Sequence, residues 1–496
     1  MTPTTTMRKA LTSRKLLGHM LAGVSHQAMR TILIAAMGEA LTDEERHQFK
    51  QLTGREREPL QRAEETVVIA GRRAGKSEAI GGVLVPYIAG LCKHPLARGE
   101  KGVLLCIAPD QSQAGIVLDY ATAAFESSPI LSQLIANRTA DTLELTNGIE
   151  IQVRAASFRR LRGATYVAVV CDEAAFWLSE NSANPDVEIV NAIRPGLATT
   201  GGPLVIISSP YARKGLLWET YKRHYGPEGD PLILVAQGST RTFNTTLPQS
   251  VVDRALERDR AAASAEYLAE FRSDIEGFVT LEVVEACIGD HTEMMPISGL
   301  NYQGFCDPSG GSKDSFTMAV SHADGNRVMV DAVREIKPPF SPDAVIEEFA
   351  TTLKTYRITS VAGDRYAGEF PRELFRKHGV TYACAEKPKS DLYRDLLPLL
   401  NSGRIVLPRS DRLVSQLVGL ERRTARSGKD SIDHSPGGHD DLANAVAGAA
   451  ALAIDTSSYD LTYRWVNGDD EDSQQESADF QHARLIQHLR NCGMPI

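Results

Sequence analysis

Long uninterrupted apolar runs are missing from this sequence. No stretch approaches the ~18 to 20 continuous apolar residues that a membrane span needs. The N-terminus is polar and rich in Thr and Arg, without the apolar centre of a secretory leader. Cysteine is sparse: seven in 496 residues, scattered over positions 92, 106, 171, 287, 306, 384 and 492. No C-x-x-C pair occurs, and an odd number cannot all pair within one chain. The expectation is reduced, mostly buried thiols in a reducing cytoplasm. An excess of positive charge is lacking too, with Lys+Arg 54 against Asp+Glu 63 and a formal net charge of -9. That balance argues against a protein that coats nucleic acid with its whole surface, while leaving room for a local basic groove. What is there is globular in character. The chain is 42% apolar and 24% charged, with Gly 39 and Pro 24, which excludes collagen-like, mucin-like and wholly disordered classes. At roughly 150 residues per domain the length suits about three domains.

Along the chain, residues 1–60 read as helical, with apolar residues at three- and four-residue steps and a helix start at Thr42-Asp43-Glu44-Glu45. Short apolar runs then follow at 66–70 (TVVIA), 102–108 (GVLLCIA), 166–171 (YVAVVC) and 203–207 (PLVII), with helix-like patterns between them. Buried strands alternating with helices predict an α/β domain with a mainly parallel sheet covered on both faces, over 61–245. Residues 246–300 read as a linker. A second αβ block is expected over 301–455, with strands at 301–306, 316–322, 327–333, 358–363, 380–385 and 404–407. The first three are joined by short polar turns and predict an antiparallel meander. After 456 the chain is polar and acidic and reads as a solvated tail. No internal repeat is found.

The first chemical motif opens directly after TVVIA, in "AGRRAGKSEAIGG". A strand running through a glycine-bearing loop into a helix is the design of a P-loop. Backbone N–H groups of Gly71, Arg72, Arg73, Ala74 and Gly75 would cradle phosphates, Lys76 would reach the terminal ones, and the Ser77 hydroxyl would ligate Mg²⁺. The first glycine of the strict pattern is Ala70 here, with Gly71 one residue on. Strand YVAVVC ends in Asp172-Glu173, where the first acid would hold Mg²⁺ and the second would polarise the attacking water. Strand PLVII ends in Ser208-Ser209, placed to sense the γ-phosphate. Of Arg159, Arg160 and Arg162, just before the acidic strand, Arg162 is the favoured arginine finger.

The second motif set consists of acids at strand and helix ends: Asp307 in "CDPSGG", Asp364 in "AGDR", and Asp440 with Asp441 in "HDDLANA". Clustered carboxylates repel one another unless cations neutralise them, and hard oxygen donors select Mg²⁺ or Mn²⁺. An acid on the first strand of an antiparallel trio, another on a later strand and a third on a closing helix is the layout of an RNase H-like nuclease. Two cations there would stabilise the attacking and leaving oxygens of phosphodiester cleavage. Neighbours on a helix point about 100° apart, so the sequence leaves Asp440 and Asp441 as alternatives. His439 reads as an outer group rather than a ligand. Basic residues around this block, including Lys387, Lys389, Arg394, Arg404, Arg409, Arg412, Arg422, Arg423, Arg426 and Lys429, are expected to meet DNA phosphates.

Taken in order, "AGRRAGKS", "LRGATYVAVVCDEA", "SSP", "CDPSGG", "AGDR" and "HDDLANA" resemble the large terminase subunit of tailed double-stranded DNA bacteriophages, over roughly residues 60–455. The resemblance implies an ATP-driven motor that threads double-stranded DNA into a procapsid, and an endonuclease that cuts concatemers. It implies ATP and Mg²⁺ as cofactors, with Mn²⁺ possible at the nuclease site. It also implies a ring of self-associated subunits, commonly five, docked on the portal protein in the host cytoplasm, and a small terminase subunit as partner. No membrane is implied. A helicase-like ATPase whose second block binds without cutting is the alternative, although no further helicase motif lies between Glu173 and residue 245. A scaffold with degenerate sites fits poorly with so many intact chemical groups.

Overall fold

The computed structural model of the chain describes residues 1–157, 161, 163–177, 179, 182, 185–364, 370–424 and 430–467, the last thirteen as helix backbone only. The chain divides into two compact units. One comprises 1–278 with 418–438, the other 279–417 with 439–496.

The first unit is built on an eight-stranded sheet. Its order is Ile233–Gly238, Glu65–Ala70, Leu204–Ser208, Tyr166–Asp172, Gly102–Ala108, Ile149–Ala155, Thr142–Leu145 and Ile135–Arg138. The first six are mutually parallel and the last two pair antiparallel. Every residue of Gly102–Ala108 and Tyr166–Asp172 is buried, because helices cover both faces. Alternate side chains serve alternate faces. Val68, Leu104 and Val170 pack with Ile32 and Phe49 of the N-terminal helices. Val67, Leu105 and Val169 pack with Ile193 and Leu217 on the other face. The N-terminal helices therefore share this unit's core. Helix Asp43–Thr53 starts at a capping box in which Thr42 and Glu45 satisfy each other's backbone, and it stops at the left-handed Gly54.

Three sequence expectations change here. Residues 135–155 form an antiparallel meander where helix-like filling was expected. The alternation in "TLEL" and "IEIQV" fits a half-buried strand, and Gly148 at φ 82° turns the chain between them. Residues 246–278, read as linker, belong to the first unit with helix Gln249–Arg258. The hairpin of Leu420–Thr424 and Asp430–His434, read as part of the second block, also joins the first unit by pairing with Ile275–Gly277. Its fully buried Glu421 accepts a hydrogen bond from Tyr211 Oη (2.7 Å) and pairs with Lys214 (3.0 Å), so a buried charge has partners.

The second unit holds a six-stranded sheet in the order Thr381–Cys384, Ser360–Gly363, Tyr302–Asp307, Phe316–Asp324, Arg327–Ile336 and Ile405–Val406. The central three form the antiparallel meander predicted from the sequence, and parallel strands flank it. Phe316, Val320, Phe349 and Leu353 lie in one core beneath helix Pro342–Thr355. Helix Asp441–Asn467 is tied to the second strand, where Thr317 Oγ1 donates to the Asp441 carbonyl and Ser321 Oγ to that of Ala449, each at 2.7 Å. The helix approaches the first strand so closely that a Cβ on Gly448 would sit 2.2 Å from the Phe305 ring. This helix runs to Asn467, past the expected boundary at 456; the rest of the tail lies outside the described residues.

Among the described residues no helix is long and apolar enough to cross a membrane. The six described cysteines are free thiols, five of them buried.

Candidate active sites

Strand Glu65–Ala70 delivers the chain into the phosphate-cradle motif at the sheet's carboxyl edge. Gly75 takes the left-handed conformation (φ 81°), and Lys76 begins the helix. Arg73 is also left-handed (φ 62°), an uncommon state for a residue with a side chain. The loop backbone is braced around it: the Asn244 side chain donates through Nδ2 to the Arg73 carbonyl (2.9 Å), Thr240 Oγ1 to the Arg72 carbonyl (2.8 Å), and the Arg72 N–H to the Glu266 carbonyl (2.6 Å). Gly71 is required by the same bracing, since a Cβ there would lie 2.3 Å from Thr240 Oγ1. Nothing local in the chain marks Thr240, Asn244 and Glu266 as part of this site: they lie far along the sequence, Thr240 and Asn244 reach loop carbonyls, and Glu266 also pairs with the Arg72 side chain (3.4 Å).

Lys76 is buried at 5% exposure. Its Nζ donates to the carbonyls of Ala70 (2.9 Å) and Gly71 (3.2 Å) and to Ser209 Oγ (3.0 Å), and it lies 3.4 Å from Glu173 Oε1. Ser77 Oγ donates to Asp172 Oδ2 (3.1 Å). Glu173 Oε2 accepts from Ser208 Oγ (3.2 Å) and from the Ser209 N–H (2.9 Å). Lys76, Ser77, Asp172, Glu173, Ser208 and Ser209 thus converge from three adjacent parallel strands. Burial, then the Glu173 charge, pushes the Asp172 carboxyl up to about 6, against the opposing pull of Lys76 and Ser77. Asp172 Oδ1 is buried without a partner among the described residues. An orphaned carboxylate oxygen beside a serine hydroxyl fits a hard divalent cation such as Mg²⁺. Arg162, with Arg159 and Arg160, lies outside the described residues.

In the second unit, the parallel register aligns Cys306 with Gly363, which sets Asp307 and Asp364 side by side just past the pair. Asn444 Nδ2, on the closing helix, donates to Asp307 Oδ2 (2.8 Å) and to Asp364 Oδ2 (3.3 Å). Burial is the main reason that the Asp307 carboxyl is pushed up to about 8; the Asn444 hydrogen bond opposes it, and the charges of Asp441, Asp364 and Asp440 add to it. Asp441 is pushed up to about 6 by burial and by Asp440, with His439 opposing.

The two neighbouring acids separate clearly. Asp440 Oδ2 is engaged by Lys389 Nζ (2.9 Å) and accepts from Tyr393 Oη (2.8 Å). Asp441 Oδ2 is buried with no partner among the described residues. Asp441 is near enough for its charge to act on Asp307, and its oxygen is unpartnered among the described residues, while Asp440 already has a counter-charge. Asn444 was not singled out from the sequence. Its position three residues after Asp441, on the same helix face, was the available signal.

Several basic residues expected on DNA are paired within the protein. Lys389 holds Asp440, Lys387 pairs with Asp395 (2.8 Å), Arg412 with Glu335 (2.7 Å), Arg394 with Asp391 (2.5 Å), Arg409 with Asp290, Arg422 with Asp430, and Arg423 with Glu421 (3.3 Å). Of these, the Arg412 pair is the most buried, whereas Lys387, Arg394, Arg409 and Arg422 stay largely exposed. Arg426 and Lys429 lie outside the described residues.

These observations define the class of the chain as α/β, with a mainly parallel sheet whose first motif strand leads into a glycine-bearing loop and helix, followed by a mixed sheet that brings aspartates together. No protein-family model and no curated protein matches the chain. Among solved structures it is similar to the large terminase of bacteriophage HK97, with 17% identity over 79% of this chain and 91% of that one, at a TM-score of 0.36. It is also similar to the large terminase ATPase domain of Thermus phage P74-26, with 23% identity over 42% of this chain and 89% of that one, at a TM-score of 0.34. A third is the magnesium-bound large terminase nuclease of thermophilic phage G20c, with 16% identity over 34% of this chain and 95% of that one, at a TM-score of 0.31.

Proposed function

We propose that the chain is a DNA-packaging motor subunit of the large-terminase kind: it hydrolyses ATP to move double-stranded DNA and cuts that DNA with a two-metal endonuclease. The observation that carries the reading is the pairing of two chemically complete sites in one chain. One is the Lys76–Glu173 and Ser77–Asp172 constellation; the other is the carboxylate group joined by Asn444.

At the first site the helix N-terminus and the loop N–H groups favour a phosphate anion. Lys76 exchanges its carbonyl partners for phosphate oxygens, which loosens its hold on Glu173. Glu173, oriented by Ser208 and the Ser209 N–H, then accepts a proton from the attacking water. Ser77 and Asp172 hold Mg²⁺, which supplies charge neutralisation on the phosphates. Ser209 touches Lys76 while its neighbour Ser208 touches Glu173, so loss of the γ-phosphate is felt by the strand that carries both serines. Arg162 would act from an adjacent subunit.

At the second site Asp307, Asp364 and Asp441 hold the Mg²⁺ or Mn²⁺ ions that supply electrophilic stabilisation of the scissile phosphate. Asp440, held by Lys389 and Tyr393, anchors the start of the helix. Ring assembly on a portal, commonly with five subunits, a small terminase subunit as partner, and action in the host cytoplasm at a procapsid all follow from the same reading.

The test is a double dissociation in the full chain. Lys76→Ala should abolish ATP hydrolysis and leave metal-dependent cutting; Asp364→Ala should abolish cutting and leave ATP hydrolysis. Full ATPase activity in the first variant rejects the nucleotide site. Cutting retained in the second removes Asp364 from the chemistry. Adding an empty procapsid should raise ATP turnover, and strand separation without cutting would favour a helicase-like enzyme instead.

A further inference from the structure

We infer that Asn444 is the positioning residue of the carboxylate site: its side-chain amide holds Asp307 and Asp364 together before any cation arrives, and so sets the site's affinity for divalent ions. The inference rests on the nuclease reading above and deepens it by saying what the amide that joins the two carboxylates does.

The geometry is specific. One amide nitrogen carries two hydrogens and spans two carboxylates, at 2.8 Å to Asp307 Oδ2 and 3.3 Å to Asp364 Oδ2. Both acceptors are carboxylate oxygens, so the nitrogen rather than the oxygen of the amide must face them. Asn444 is fully buried, and its Oδ1 has no partner among the described residues. A buried amide with half its hydrogen-bonding capacity unused costs stability. The two donated bonds, each to an ionisable acceptor, are what offset that cost.

Three structural ties fix where the amide sits. Its own N–H donates to the Asp440 carbonyl (2.8 Å), the neighbouring Ala443 N–H donates to Gln416 Oε1 (3.0 Å), and Gly448, one turn on, lets the helix close onto Phe305. Phe305 lies two residues before Asp307 on the same strand. Helix docking and carboxylate spacing are thereby one event. The amide works against the like-charge repulsion between the two neighbouring carboxylates.

A neutral amide is suited to this duty. It draws the two acids together without adding the fixed positive charge that would compete with a metal ion. Lys389, the nearby cation, is engaged instead with Asp440.

The experiment compares the full-length protein with Asn444→Ala and with the near-isosteric Asn444→Asp. Mn²⁺ binding is read by calorimetry, the metal dependence of cutting by titration, and folding of the second unit by its chemical denaturation midpoint. Loss of an outer partner at a metal site typically costs 10- to 100-fold in metal affinity. Asn444→Ala should therefore raise the Mn²⁺ dissociation constant, and the Mn²⁺ concentration for half-maximal cutting, by roughly 10-fold or more. Raising Mn²⁺ should restore part of the cutting that this variant loses at low Mn²⁺. Asn444→Asp, which adds a like charge, should lower Tm in chelator and gain more Tm than the unaltered protein when Mn²⁺ is added. Unchanged Mn²⁺ affinity in Asn444→Ala, with the second unit still folded, overturns the inference alone. Absence of both Mn²⁺ uptake and cutting in the unaltered protein overturns the nuclease reading, and the inference with it.

Discussion

The two sites answer the same electrostatic problem in opposite ways. In the first unit, Glu173 and Asp172 sit beside a lysine, serine hydroxyls and a backbone N–H that the protein itself provides. In the second, Asp307 and Asp364 share one neutral amide, and Asp441 Oδ2 has no partner among the described residues. Burial raises the carboxyls in both places, yet further at Asp307 than at Asp172. The lesson is that a site with an internal cation is poised before its ligand arrives. In the second site the lysine is engaged with Asp440, while Asp307 and Asp364 are bridged by a neutral amide.

The sharpest way to break this contrast is to divide Asp440 from Asp441. Asp441→Ala should reduce cutting by more than about 100-fold, beyond the loss typical of an outer partner. Asp440→Ala should keep measurable cutting while lowering Tm, because it leaves Lys389 and Tyr393 without their acceptor. Equal cutting rates in the two variants would refute the division.

Next in size is Gly448→Ala. The added methyl must push into the Phe305 ring, and overpacking of this kind costs about 1–3 kcal/mol. Chemical denaturation of the second unit should show a lower midpoint with ATP hydrolysis unaffected. A midpoint equal to that of the unaltered protein would mean that the helix does not approach the strand so closely.

The pH dependence sharpens the comparison further. An aspartate in an unfolded chain titrates at about 4, whereas folding raises Asp441 to about 6 and Asp307 to about 8. The native state then holds protons that the unfolded chain has lost, so this contribution to stability falls as pH rises from 4 through 8. In chelator, Tm should decline across that window. Mg²⁺ should raise Tm more at pH 8.5 than at pH 5.5, and a metal effect independent of pH would contradict the scheme. Asp307→Asn should flatten the decline.

The smallest expected effect lies far from both sites. Two hydrogen bonds from Arg46 hold the Glu58 carboxyl down at about 2, so its contribution is present above the ordinary carboxylate range and is lost as pH falls towards 2. Glu58→Gln should make the acid arm of the stability curve shallower, as read by circular dichroism. An unchanged arm would show that the pair adds nothing.

Much of this molecule was legible in its sequence because the informative signals were local. Buried strands announced themselves as apolar runs, and Lys76 and Ser77 followed one of them directly. Residues 135–155 misled because short alternating segments were passed over as helix-like filling. Thr240, Asn244 and Glu266 are not legible in the sequence because they lie more than 160 residues from the loop they brace, and only the fold brings their side chains to it. Lys389 resembled a DNA contact until its distance to Asp440 was known.

Sequence alone determined that the chain carries a phosphate-cradling loop, an acid pair at the end of a buried strand, and a set of separated aspartates, since strand periodicity and motif spacing are properties of neighbouring residues. Tertiary structure decided which carboxylates meet. Asp440 and Asp441 are adjacent in the chain, and only the closing helix, docked through Gly448 and bounded by Lys389 and Tyr393, gives one a counter-charge and leaves the other's oxygen unpartnered. The physical reason is that a carboxylate's role depends on burial and on the charges beside it, and both are set by residues distant in sequence.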